Sequence, residues 1–70
     1  MAKLKIALKN GGGSMEIETS HEAAMRIFNR YMVFLRQGAQ GSHKFNLDGA
    51  DEGVLALSYE NVAAVQVSAD

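Results

Sequence analysis

Hydrophobic positions change their period along this chain, and each change marks an element. Residues 3–9 alternate, with Leu4, Ile6 and Leu8 on one side and Lys3, Lys5, Ala7 and Lys9 on the other. A period of two with one polar face predicts a half-buried strand. Residues 14–18 alternate again, Met15 and Ile17 being apolar between Glu16 and Glu18. Asn10-Gly11-Gly12-Gly13 lies between the two runs, and both residue types tolerate positive φ, so a turn is expected there. Folding about these four residues sets Leu8 opposite Met15 and Ile6 opposite Ile17. The same register sets Lys5 opposite Glu18 and Ala7 opposite Glu16, keeping the charged side chains on the wet face.

The period lengthens over residues 19–38, which predict the one long helix. Thr19 with Glu22 three residues on makes a capping box, and Ser20 is an alternative N-cap. Glu22 suits the positive end of the helix dipole and Arg36 the negative end, while Gly38 suits the residue just past the last turn. At 100° per residue, Ala24, Ile27, Phe28, Tyr31, Phe34 and Leu35 form a central apolar stripe. Met25 and Met32 widen it on one flank and Ala23 on the other. Glu22, Arg26, Asn29, Arg30, Arg36 and Gln37 make a polar back, with Val33 alone among them. The apolar arc is wider than the roughly 100° needed to sit on one surface. Ala24, Ile27, Phe28, Tyr31 and Leu35 are expected to face the chain's own sheet, leaving Met25 and Met32 for something else.

Period two returns after a loop at residues 39–42. Phe45 and Leu47 point inward from a strand at 43–47, and an acidic, turn-rich loop follows at 48–53. In residues 54–59, Leu55, Leu57 and Tyr59 share one face and Val54, Ala56 and Ser58 the other, as suits a central strand. Glu60-Asn61 breaks the run. Residues 62–68 close as a last strand with Val65 and Val67 inward. The order β-β-α-β-β-β predicts an α+β fold: a single two-layer domain over residues 1–70, with one helix packed on an antiparallel sheet. Residues 11–14, Gly-Gly-Gly-Ser ahead of Met15, also read as an engineered linker, residues 2–10 then being an added or permuted strand.

Composition narrows this picture. Seventy residues allow one domain with a small core. There is no cysteine, which removes disulfides, thiolate metal sites and a cysteine nucleophile. Packing or self-association is therefore the expected source of stability. A net charge of −1 gives no electrostatic footprint for nucleic acid or an anionic membrane. No apolar run reaches membrane-spanning length. No signal-like segment opens the chain, so a cytoplasmic location is the default expectation.

Candidate chemistry is sparse. Asp48, Asp51 and Glu52 form the densest acidic cluster, but their spacing does not match a calcium loop, and a solvated turn is preferred. His21 and His43 are too few for a structural zinc site and are read as structural or exposed. The serines sit in no nucleophile elbow. The triple glycine lacks the lysine and the helix that a phosphate cradle needs. No catalytic residues, metal ligands, cofactor or small-molecule substrate are indicated. Arg26 and Arg30, one turn apart on the outer helix face, could meet phosphate, though Glu22 stands ready to pair with Arg26.

The layout resembles small bacterial and phage domains without pointing to a family. The expectation is a non-enzymatic interaction or assembly module, a homodimer or higher oligomer, with Met25, Met32 and Val33 at its interface. The alternative is a small nucleic-acid-binding module using Arg26 and Arg30.

Overall fold

The computed structural model describes residues 1–38 and 41–69. The chain runs β1 (Ala2–Leu8), β2 (Ser14–Thr19), α1 (His21–Gln37), β3 (Ser42–Leu47), β4 (Gly53–Ser58) and β5 (Val62–Ala69), with 3-10 turns at Gly49–Asp51 and Tyr59–Asn61. This is the expected order of one helix among antiparallel strands. Of the loop expected at residues 39–42, Ala39 and Gln40 lie outside the described residues.

The strands divide into two sheets. β1 sits between β2 and β5 in one, and β3 pairs with β4 in the other. Ala2, Leu4 and Ile6 of β1 are buried, so one face of β1 belongs to the core whatever the origin of the glycine run beside it. The solvent face of this sheet sets Lys3 opposite Glu18 and Lys5 opposite Glu16, opposite charges directly across the strands.

That register differs by two residues from the expected one. Ile6 faces Met15, and Leu4 faces Ile17. The turn is the reason: Asn10 (φ 57°) and Gly11 (φ 74°) are its two central residues. Positive φ at both positions belongs to a two-residue type I′ hairpin, for which Asn-Gly is the favoured pair. Gly12 N–H closes the turn on the Lys9 carbonyl at 3.1 Å, and Leu8 N–H donates to the Gly13 carbonyl at 2.8 Å just ahead of β2. A shift of two residues leaves every side chain on its expected face.

The helix start also differs. Ser20, not Thr19, is the N-cap, its hydroxyl accepting from Ala23 N–H at 3.1 Å. Glu22 falls one position short of a capping box and pairs instead with Arg26 at 3.8 Å on the surface. Thr19 is completely buried as the last residue of β2. Gly38 adopts the left-handed conformation (φ 66°) and its N–H returns to the Phe34 carbonyl at 2.7 Å, ending the helix as expected.

α1 packs over β5 and β1 and touches β3. Ala23, Ala24, Ile27 and Tyr31 are buried. Leu35, expected to face the sheet, is 56% exposed, and Phe28 is only half-buried. The buried arc is centred nearer Ile27 than the helix periodicity alone suggests, with the Tyr59 turn packed beside Phe34 and β3 touching the helix. β4 is likewise not the central strand expected from its two apolar faces. It pairs only with β3 among the described residues, and Val54 is 64% exposed.

Candidate interaction surface

Tyr59 ties the smaller sheet to the helix. Its ring lies 5.5 Å from Tyr31, 5.9 Å from Phe34, 5.2 Å from His43 and 6.4 Å from Phe45. Its hydroxyl donates to the Ile27 carbonyl at 2.8 Å. Burial pushes that hydroxyl up to about 12, against the opposing pull of the Arg30 charge. Tyr31 reaches across to β5, donating to the Ala63 carbonyl at 3.1 Å. His43 is part of this aromatic packing, and its Nε2 is enclosed without a hydrogen-bond partner among the described residues. His21, the first residue of α1, is exposed.

The acidic loop serves structure. Asp48 accepts from the Thr19 hydroxyl at 2.9 Å and from Ser20 N–H at 3.1 Å, while Asp48 N–H donates back to the Thr19 hydroxyl at 3.2 Å. The Ser20 hydroxyl and amide, with the Thr19 hydroxyl, hold the Asp48 carboxyl below the usual range. Asp51 accepts from Glu18 N–H at 2.6 Å. These contacts fasten the β3–β4 unit to β2, at the edge of the larger sheet opposite β5. Two of the three clustered carboxylates thus have protein donors, and no group of three metal-ligating side chains occurs among the described residues.

α1 carries two parallel apolar stripes. Ala24, Ile27, Tyr31 and Phe34 form the inner one, against the sheets. Met25, Phe28, Met32 and Leu35 repeat the same 3-4-3 spacing one position on, and this second stripe lies outside the core. Met25 and Phe28 are half-buried, Met32 is 43% exposed and Leu35 56%. The structure therefore brings Met25 and Met32 together and adds Phe28 and Leu35 to them. The signal is present in the sequence as the second 3-4-3 repeat, hidden because Phe28 and Leu35 also border the first stripe. Val33 is on a different face. With Arg26, Asn29 and Arg30 it lines a surface depression of about 270 Å³.

No helix among the described residues is long and apolar enough to cross a membrane. No protein-family model matches the chain, and no curated protein or solved structure matches it either.

Proposed function

We infer that this chain is a small non-enzymatic module that works by associating with copies of itself. The observation that carries this is the second stripe on α1. Met25, Phe28, Met32 and Leu35 occupy a seam spacing that repeats every 3.5 residues, the pattern by which helices pack on one another. Water contact along such a seam is unfavourable by about 25 cal/mol per Å² of apolar surface. Methionine adapts readily to a facing surface. Sedimentation equilibrium at micromolar concentrations tests the inference. A mass rising from 7.6 kDa toward its double is the expected result, and a mass that stays at 7.6 kDa removes it.

A second reading rests on the depression between Arg26, Asn29, Arg30 and Val33, two guanidinium groups beside an amide that suit a phosphate. Glu22 engages Arg26, and the net charge is −1, so nucleic-acid binding is the weaker reading. Failure to retard an oligonucleotide at low salt ends it.

A further inference from the structure

We propose that β5 and the outer stripe of α1 form one continuous two-fold interface with a second copy of this chain, β5 pairing antiparallel with its counterpart to join two three-stranded sheets into one of six. This rests on the self-association inferred above and names the surface that performs it.

The two edges of the larger sheet are treated differently. β2 carries Glu16 and Glu18 and is covered near its end by Asp51, which takes the Glu18 N–H. β5 has β1 as its one partner among the described residues. At eight residues it is the longest strand, and Val62–Ala69 contains no charged residue and no proline. An edge strand that is long, uncharged and free of proline is open to pairing with another chain. Its one irregularity, between Ala64 and Val62 opposite Ala7 and Leu8, lies at its start. The stretch from Ala64 to Ala69 is regular.

The helix stripe stands on the same side. The Tyr59 turn packs on the Phe34 flank of α1 with His43 and Phe45 of β3 behind it, and the β3–β4 unit is fastened to β2. The opposite flank, carrying Met25, Phe28, Met32 and Leu35, therefore lies toward β5. Tyr31, between the two flanks, reaches the β5 backbone. Beneath the stripe, Val65 and Val67 on the inner face of β5 are only half-buried.

Dimensions agree. Each α1 lies over β5 and β1, so pairing β5 with β5 separates the two helices by two strand spacings, about 9.6 Å. Packed helices stand 8–10 Å apart. The stripe from Met25 to Leu35 rises about 15 Å, and Ala64 to Ala69 extends about 17 Å, so the two layers meet over the same length. A two-fold axis normal to the sheet makes both the strands and the helices antiparallel, and the interface is self-complementary.

The area sets the strength. Eight strand residues and four helix residues per copy bury on the order of 800 Å² in total, the size class of weak, reversible complexes. The single chain's accessible surface, 4432 Å², is near the roughly 4,300 Å² of a compact monomer of its mass. A folded monomer in equilibrium with a dimer is expected.

The chain has no cysteine, so single cysteines report contacts cleanly. Gln66→Cys, on the exposed face of β5, is compared with Glu16→Cys on β2, about 24 Å from its counterpart across the joined sheet. A short bis-maleimide is the probe. Gln66→Cys is expected to cross-link as a dimer and Glu16→Cys to stay single. In the Gln66→Cys background, Met32→Glu with Leu35→Glu sets like charges across the seam and is expected to weaken association at least about tenfold. Unchanged circular dichroism checks the fold of that variant. If the parent chain associates but Gln66→Cys links no better than Glu16→Cys, the β5 pairing is overturned while self-association stands. A cross-link undiminished by the two glutamates overturns the joint strand-and-helix surface. A parent chain that remains monomeric overturns both inferences.

Discussion

Tyr59 shows how much one side chain can organise in a chain of this size. It is 1% exposed, contacts aromatic rings from α1 and β3, and donates a buried hydrogen bond to the middle of the helix. Tyr59→Phe keeps the ring and removes the hydroxyl, so the expected loss is about 1 kcal/mol at neutral pH. The pH dependence has a definite sign. The fold favours the neutral phenol, whose pKa rises from 10.0 to about 12. Its contribution is complete below pH 10, where the phenol is neutral in both states, and is lost as the pH climbs from 10 toward 12. Chemical denaturation across that range should show a steeper alkaline decline for the parent than for Tyr59→Phe. An identical decline would show that Tyr59 ionisation is not coupled to folding. Position 59 was legible only as an apolar strand residue. That it would be the hub depends on β4 ending at Ser58 and turning it toward α1.

At the scale of elements, the assembly point is where β2 ends, α1 begins and the β3–β4 loop returns. Thr19, Ser20 and Asp48 meet there. Asp48→Ala removes the acceptor, leaves the buried Thr19 hydroxyl without it, and is expected to lower the melting temperature at neutral pH. The Asp48 carboxyl is held below its ordinary 3.8, so its contribution is present above that value and lost as pH falls through the lowered one. The gap between parent and variant melting temperatures should therefore close only in strong acid; a gap independent of pH would refute the linkage. Residue spacing made the helix and its glycine stop legible. The N-cap was displaced by one residue because Thr19 and Ser20 are both good caps, and Asp48, twenty-nine positions away, claims Thr19. The Asn10-Gly11 turn was legible in principle. Its two positive φ values set a register that the longer glycine run obscured.

For the whole molecule, the self-association proposed above would couple folding to concentration. A dimer stabilised by the seam and the β5 edge has a melting temperature that rises with protein concentration. A tenfold dilution series by calorimetry should show that shift in the parent and not in Met32→Glu with Leu35→Glu; coincident melting curves at all concentrations would contradict it. The sequence by itself determined what is local: the strand faces, the helix and its end, the order β-β-α-β-β-β, and an apolar helix arc too wide for one sheet. These follow from periods of two and 3.6 and from glycine's freedom at positive φ, which neighbours in the chain settle between themselves. Only the tertiary structure decided which half of that arc is covered. The Tyr59 turn and β3 pack on the Phe34 flank, with Asp48 and Asp51 fastening the β3–β4 unit to β2, and the Met25, Phe28, Met32 and Leu35 flank is left outside the core. Such contacts join residues about thirty positions apart, and no period within the chain records them.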